Sequence, residues 1–340
     1  DFSPKLNCFV GLNGSGKTNL LDAIHYLSLT KSYFSSRDNR SIKNEADFFM
    51  IEANLHRKEE EVQLYCALKK GQKKVFRKDK KEYEKLADHI GYFPAVVISP
   101  YDRDLITDTA EIRRRFTDNV ISQGNATYLH HLMRYNKALQ QRNSLLKFFA
   151  ANHKFDVDSL EIYDHQLVEH GEYIYQHRME FAEALKPRIQ HYYEFISQGR
   201  EEASIEYLSQ RHESTFEDML LQTWSKDRVL QYTSAGVHRD DLIFKLNGDS
   251  IKHYGSQGQQ KSLLIALKLA QYEFIRDHQQ LVPVLLLDDI FDKLDEKRVA
   301  TLVKLVHDED FGQIFITDTH PERTVDLVKQ IDANAKIFEI

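Results

Sequence analysis

The amino-acid sequence predicts an α/β protein with a mostly parallel β-sheet and an inserted helical region. Two apolar runs, Val284–Leu287 and Gln313–Thr317, have the length of buried strands, and helical patterns lie around them. A third strand candidate, Lys5–Val10, runs into a glycine-rich loop that is followed by an amphipathic helix, Lys17–Leu29. Apolar strands that alternate with helices favour a parallel sheet covered on both faces.

Three zones follow one another along the chain. Residues 1–100 and 230–340 have the α/β pattern and are expected to form one domain, with further strands at Val62–Leu68 and Ala95–Ile98. Residues 101–229 are expected to be mostly helical. A break at 152–158 predicts two helices that fold back antiparallel, the first of about 20 residues, or roughly 30 Å. An ordinary helical subdomain and a specialised arm both fit this pattern.

Composition excludes several classes of protein. The chain has 340 residues, is 41% hydrophobic and carries a net charge of −6, so it is not a uniformly basic nucleic-acid binder, although a local basic patch remains open. No run of about 18 apolar residues predicts a membrane span, and residues 1–10 do not have the charged-then-apolar pattern of a signal peptide. Its only cysteines, Cys8 and Cys66, favour a reducing cytoplasm. Because the first strand begins almost at residue 1, we expect a short missing N-terminal segment.

The glycine-rich loop fits the phosphate-binding pattern G-x-x-x-x-G-K-[ST] at every fixed position. Glycines let successive backbone N–H groups turn towards phosphate oxygens, and the helix that follows presents its positive end to the same anion. Lys17 is predicted to bind the β- and γ-phosphates of ATP, and Thr18 to bind Mg²⁺. The predicted nucleotide-binding residues here are Gly11, Leu12, Asn13, Gly14, Ser15, Gly16, Lys17 and Thr18.

Two carboxylates, Asp288 and Asp289, end the apolar strand Val284–Leu287. A strand buried on both faces rarely ends in acids unless they coordinate something or cap a helix. Asp288 is predicted to hold Mg²⁺. Asp289, expected on the opposite side of the strand, is predicted to orient or deprotonate the attacking water, with Lys17 as the other catalytic residue.

A second small-residue turn, Gly255–Gln260, precedes a helix predicted over Lys261–Ile275. A helix N-terminus attracts anions, but the chain already has one phosphate-binding loop for its own nucleotide. Ser256, Gly258 and Gln259 are therefore predicted to cap the γ-phosphate of a nucleotide held by another copy of the chain. A flexible turn with a serine cap is the alternative.

The order of these motifs resembles that of the ABC-type ATPases, with Ser256–Gln259 as the signature motif and Leu294-Asp295 as the D-loop. Further stretches resemble the RecF family of bacterial recombination and gap-repair ATPases, which is related to the SMC proteins: Asn19–Ile24, Arg113–Phe116, Gly236–Leu242 and Tyr254–Lys261. The resemblance implies an ABC-type head, an ATP-dependent homodimer, Asp295 near the nucleotide, and RecR as a partner, with RecO and a recombinase acting indirectly. It leaves the roles of His320 and Gly236–Asp241 open.

Basic residues cluster around a hairpin tip that is predicted at Lys69–Lys74. Such a cluster can neutralise several phosphates and release their counterions, which predicts DNA binding directed at the backbone. The candidate DNA contacts are Lys73, Lys74, Arg77 and Lys78. A solvated hairpin kept soluble by lysine is the alternative. At least one of Arg113, Arg114 and Arg115 is expected to pair with a carboxylate.

These patterns favour an ATP-dependent DNA-binding switch that dimerises on ATP, binds double-stranded or gapped DNA and hydrolyses ATP slowly. The ATP-binding subunit of a transporter is a runner-up, but the stretch between Thr18 and Ser256 is long for one. An ATPase-coupled nuclease would need an additional acidic metal site. A structural chromosome organiser would need a longer arm and a hinge.

Overall fold

The computed structural model describes residues 1–340 except 36, 58, 198, 200, 281, 290–301, 303 and 305–310. The chain divides into two compact units. The first contains residues 1–102 and 268–340, and the second contains residues 103–267. Residues 230–267 lie in the second compact unit, although the sequence groups them with the α/β domain. Compact units need not coincide with domains, so the boundaries expected at residues 100 and 230 stay a prediction.

A five-stranded parallel sheet forms the centre of the first unit. Its spatial order is β12-β1-β11-β10-β6, and every described neighbour pair is parallel. The strands are β1 (Leu6–Val10), β6 (Ala95–Ile98), β10 (Val284–Leu287), β11 (Ile314–Asp318) and β12 (Lys336–Glu339). Strands β1, β6, β10 and β11 are buried along their whole length, as the continuous apolar runs predict. The predicted parallel sheet is confirmed.

An antiparallel sheet lies beside the helix that follows the phosphate-binding loop. Its strands, in order, are β2 (Phe48–Arg57), β3 (Glu60–Lys69), β4 (Val75–Lys78) and β5 (Lys81–Glu82). Alternate residues of β3 pack against Tyr26 and Leu27 of helix α1 (Lys17–Leu29). The hairpin predicted at Lys69–Lys74 joins β3 to β4 and turns at Gly71, whose φ of 74° favours glycine. Helix α9 (Pro321–Ile331) also belongs to this unit.

Two long helices, α4 and α5, dominate the second unit and pack against each other. Helix α4 has 27 residues, so it is about 40 Å long, and α5 has 41. The predicted length of about 20 residues for the first helix is too short, because the helix extends from Ala126 to Asn152. The helices of this unit are α2 (Asp104–Thr107), α3 (Ala110–Gly124), α4 (Ala126–Asn152), α5 (Val157–Ser197), α6 (Phe216–Leu230) and α7 (Ile251–Tyr254).

A small antiparallel sheet accompanies these helices, in the order β7 (Ala203–Leu208), β8 (Asp241–Leu246) and β9 (Asp249–Ser250). Helix α8 (Gln257–Gln279) begins in the second unit and ends in the first. It starts four residues before the predicted Lys261, because side chains of the preceding turn cap its N-terminus. Among the described helices, none is long and apolar enough to cross a membrane.

Candidate nucleotide-binding site

The phosphate-binding loop connects β1 to α1, as the sequence predicts. Gly14 and Gly16 have φ values of 82° and 105°, a region that side chains with a Cβ rarely adopt. Gly11 is constrained differently, since a Cβ there would lie 2.1 Å from the carbonyl oxygen of Ile340. Two glycines therefore provide the left-handed turns of the loop, and a third allows a close approach of backbone at its start.

The Lys17 side chain folds back over this loop. Its Nζ donates to the carbonyl oxygens of Gly11 at 2.9 Å and Leu12 at 2.8 Å, and the residue is buried. The ammonium group is therefore held at the loop by two neutral acceptors. A phosphate oxygen is a stronger acceptor for an ammonium group than a carbonyl oxygen, because it carries charge.

Thr18 and Asp288 meet across the carboxyl end of the sheet. The Thr18 hydroxyl donates to Asp288 Oδ1 at 2.9 Å, and the Thr317 hydroxyl donates to the same oxygen at 2.8 Å. Asp288 is almost fully buried, so two charge-assisted hydrogen bonds fix its carboxylate. Thr317 also accepts a hydrogen bond from the backbone N–H of Asp289 at 3.0 Å. The two predicted metal-binding residues are thus brought together, with Thr317 as an unpredicted third member.

Asp289 does not lie on the opposite side of the strand, and this part of the prediction is wrong. Strand β10 ends at Leu287, and Asp289 has a φ of 49°, so the alternation of side chains stops before it. This left-handed conformation costs on the order of 1–3 kcal/mol in a non-glycine residue. Asp289 instead lines the same pocket as the phosphate-binding loop, together with Asn13, Gly14, Gly16, Lys17, Thr18, Asn19, Thr317 and Thr319.

The residues of this pocket fit a magnesium–nucleotide complex. Mg²⁺ is commonly bound through one or two protein oxygens, while substrate phosphates and water complete its coordination. Asp288 and Thr18 are such a pair. Among the described residues no group of three or more His, Cys, Asp or Glu is placed to hold a metal ion by itself.

Two titratable groups on α1, the half-buried Asp22 and the buried His25, have shifted pKa values. Burial raises the pKa of Asp22 above its ordinary value, hydrogen bonds from Ser32 and the Tyr33 backbone oppose the rise, and the charge of Asp288 adds to it. Burial lowers the pKa of His25 to about 3. His25 is therefore neutral at physiological pH and donates from Nδ1 to the carbonyl oxygen of Lys31 at 3.1 Å. Neither group adds positive charge to the phosphate site.

The predicted signature turn forms a reciprocal cap at the start of α8. The Ser256 hydroxyl accepts from the N–H of Gln259 at 3.3 Å, and the Ser256 N–H donates to Gln259 Oε1 at 2.7 Å. Ser256 is exposed, and Gly258 lies in the first turn of the helix. The Gln259 amide also donates to Glu201 at 2.5 Å. The serine cap is present, and the exposed residue remains accessible. Leu294 and Asp295 lie outside the described residues.

The stretch Gly236–Asp241, whose role the sequence leaves open, lies in a buried polar network of the second unit. Asp240 pairs with Arg178, and Asp241 receives two hydrogen bonds from Arg113, at 2.7 and 2.9 Å. The expected arginine–carboxylate pair is confirmed for Arg113. His238 lies between the Tyr135 hydroxyl and the Thr233 carbonyl, and burial lowers its pKa to about 4. These contacts are structural. His320 is exposed and precedes α9.

The basic hairpin presents its cations unequally. Lys73 and Arg77 are exposed, and Arg77 lies 3.9 Å from Glu82. Lys78 is half-buried, with its Nζ 4.2 Å from the centre of the Tyr92 ring. Lys74 points inward and donates to Tyr26, the Thr30 carbonyl and Asp38, at 3.0, 2.6 and 2.7 Å. This structural contact argues against Lys74 as a phosphate contact.

Comparison with known proteins identifies the family. The family model described as RecF/RecN/SMC N terminal domain matches residues 1–339. A DNA replication and repair protein RecF from Flavobacterium johnsoniae is 51% identical over 340 residues, which cover 100% of this chain and 95% of the relative. The chain belongs to the RecF family. The resemblance predicted from the sequence is confirmed.

Solved structures agree with this assignment. The recombination mediator protein RecF with ATP, in the RecFOR pathway, matches with a TM-score of 0.87 and 30% identity, over 94% of this chain and 87% of the other. An Smc head domain from Pyrococcus furiosus, bound to the C-terminal domain of ScpA, matches with a TM-score of 0.53 and 16% identity, over 96% and 86% of the two chains. The latter likeness shows the fold alone. The predicted ABC-type head is confirmed.

Proposed function

We propose that this RecF-family protein is an ATP-dependent switch of DNA repair that binds magnesium–ATP and hydrolyses it slowly in a site shared by two copies. The observation that carries the proposal is the meeting of Thr18 and Asp288, 2.9 Å apart, beside the Lys17 ammonium in a complete phosphate-binding loop. Relatives are named DNA replication and repair proteins, and a solved relative is named as a complex with ATP.

Each residue has a distinct role in this proposal. Lys17 exchanges its two carbonyl acceptors for β- and γ-phosphate oxygens, and the backbone N–H groups of Gly14 and Gly16 bind phosphate. Thr18 and Asp288 hold Mg²⁺, which when bound neutralises charge on the phosphates. Asp289 lies in the same pocket and orients or deprotonates water. ABC-type ATPases generally have a glutamate at the position of Asp289. Aspartate is one methylene shorter, so its carboxylate reaches less far, which favours slow hydrolysis.

The second copy supplies the signature turn. Ser256 is exposed at the N-terminus of the long helix α8, where the helix dipole and the backbone N–H of Gly258 favour an anion. Facing copies complete each other's sites in a closed two-fold dimer. Asp295 is proposed near the nucleotide on the family resemblance.

Double-stranded or gapped DNA is the proposed macromolecular ligand, and Lys73, Arg77 and Lys78 are the proposed backbone contacts. RecR and RecO are proposed partners, with a recombinase acting indirectly, because a solved relative is named within the RecFOR pathway. The two cysteines are buried and unbridged, which supports a cytoplasmic location. A transporter subunit or a coupled nuclease is disfavoured by the family to which the chain belongs.

Complementation between two inactive variants tests the shared site. Lys17→Ala removes the phosphate-binding cation, and Ser256→Ala removes the serine hydroxyl of the signature turn without adding bulk at the proposed interface. We expect neither variant to hydrolyse ATP alone. An equimolar mixture should recover activity, because one site of each heterodimer combines an intact Lys17 with an intact Ser256. A mixture as inactive as its components, although both variants are folded, would contradict the shared site.

A further inference from the structure

The two faces of the antiparallel sheet differ in chemistry. Alternate residues of β3 are buried against α1, and the residues between them face outward. On the neighbouring strand β2 the outward positions include Phe48, which is 58% exposed, and Met50, which is 55% exposed. An isolated exposed apolar residue is ordinary, but two successive outward positions form a patch.

Strand register extends this patch across the sheet. Met50 lies opposite Ala67 of β3, which lies opposite Val75 of β4. The next outward residue of β3 is Tyr65, which is half-buried. The face therefore presents an aromatic ring at each side of a row of apolar residues, and its strands hold these rings on a rigid pleated surface.

Cations border the same patch. Phe48 lies opposite Lys69, and Tyr65 lies opposite Arg77, whose guanidinium is 5.4 Å from the centre of the Tyr65 ring. The turn next to Lys69 adds the exposed residues Lys70 and Lys73. A neutral apolar partner would gain nothing from this concentration of positive charge, whereas a partner that carries phosphates would.

We propose that this outer face, defined by Phe48, Met50, Tyr65, Ala67 and Val75, stacks the bases of single-stranded DNA. Every base has a π-face, so aromatic rings bind bases without reading their sequence, and adjacent cations neutralise the phosphates. The inference rests on the proposed DNA-binding function and deepens it. It assigns the single-stranded part of a gapped substrate to the sheet face, and the duplex part to the basic residues of the hairpin.

Two acidic residues mark one edge of the proposed DNA-binding surface. Glu52 lies opposite Tyr65, and Glu82 lies opposite Arg77 at 3.9 Å. Glu52 also accepts from the Gln63 amide at 2.5 Å, which fixes its carboxylate on the outer face. Because these carboxylates repel phosphate, the DNA strand is confined to the end of the sheet next to the hairpin tip.

Affinity measurements with paired substrates test the assignment. The variant Phe48→Ala/Met50→Ala should bind an oligothymidylate about fivefold or more weakly, since the loss of one base stacked on an aromatic ring lowers affinity by roughly 5- to 150-fold. Its affinity for a blunt duplex should not change. The matched control is Phe148→Ala on α4, because Phe148 is 56% exposed but belongs to the second compact unit. That variant should bind both substrates like the wild type.

Fluorescence reports stacking directly. Trp224 is the only tryptophan of the chain and supplies the same background in each variant. Oligothymidylate should quench the additional emission of Phe48→Trp and should leave that of Phe148→Trp unchanged. Equal quenching at both positions, no quenching at position 48, or unchanged oligothymidylate affinity of the double-alanine variant would overturn the inference while duplex binding survives. A wild-type protein that binds neither substrate would overturn the proposed DNA-binding function as well.

Discussion

Replacing Lys17 by alanine is the sharpest test of the nucleotide site. An ammonium group about 4 Å from a phosphate charge contributes roughly 4 kcal/mol at an effective dielectric constant of about 20. Part of this is offset, because Lys17 must release one of its two carbonyl acceptors, Gly11 at 2.9 Å or Leu12 at 2.8 Å, and such a bond from a charged group has a net worth of at least about 1.5 kcal/mol. A net loss of up to roughly 2.5 kcal/mol remains, which corresponds to an increase in Kd of up to about 70-fold.

Isothermal titration calorimetry with magnesium–ATP measures this change. Lys5→Ala is a matched control, because the Lys5 ammonium also donates to a backbone carbonyl, that of Phe311 at 2.6 Å, but is not part of the phosphate-binding loop. Lys5→Ala should keep the wild-type affinity. If Lys17→Ala is folded, by circular dichroism and thermal unfolding, and still binds ATP with wild-type affinity, the assignment of the loop is refuted.

Four other variants test separate parts of the proposed function and of the fold. Ser256→Arg should leave ATP binding by the single chain nearly intact, as measured by calorimetry, and should abolish phosphate release. Asp289→Asn should retain ATP binding and slow phosphate release. Loss of ATP binding in Ser256→Arg would place the turn in the chain's own site. Lys73→Glu should weaken duplex binding and flatten its salt dependence, and an unchanged salt slope would return the hairpin to a solvated role. Burial lowers the pKa of His89 to about 4, so below about pH 6.5 the unfolded chain takes up a proton that the folded chain does not, and stability is lost down to about pH 4. Between pH 7 and pH 5, the free energy of unfolding measured with urea should fall about 2 kcal/mol less in His89→Gln than in the wild type. An equal fall in both proteins would contradict a neutral buried imidazole.

The sequence predicts the core of the site well because the relevant geometry is local or follows from parallel strands. Spacing alone defines the phosphate-binding loop, and the carboxyl ends of all strands in a parallel sheet lie at one edge, which brings Asp288 to Thr18 although β11 lies between their strands. The sequence does not reveal that Thr317 belongs to the site. Thr317 follows Ile316, which pairs with Leu287, and this register between distant strands cannot be read from a single sequence.

Side-chain direction at irregular backbone is less predictable. The alternation of an extended strand predicts Asp289 on the side opposite Asp288, but the φ of 49° at Asp289 ends that alternation. The basic run predicts Lys74 as a DNA contact. In the structure its ammonium group instead donates to Tyr26, Thr30 and Asp38. A cluster of lysines identifies a cationic region but not the member that turns inward.

Long-range polar pairs are also invisible in the sequence. Arg142 is fully buried and binds Asp164 at 2.5 Å and Asp227 at 2.7 Å, although these partners lie on different helices. Removing one member of such a pair leaves an uncompensated buried charge, which commonly costs about 3–5 kcal/mol. The helical periodicity predicts the long helices but contains no information on which buried charges they bring together.

The mass of the protein in solution tests the central claim most directly. The chain has a mass of 39.9 kDa. Multi-angle light scattering in the presence of magnesium and a slowly hydrolysed ATP analogue should give twice that mass for the wild type, and the mass of one chain without nucleotide. Ser256→Arg should keep the mass of one chain under both conditions, although calorimetry shows that it binds the analogue. A wild-type protein that is saturated with the analogue and still has the mass of one chain would contradict a site completed by two copies.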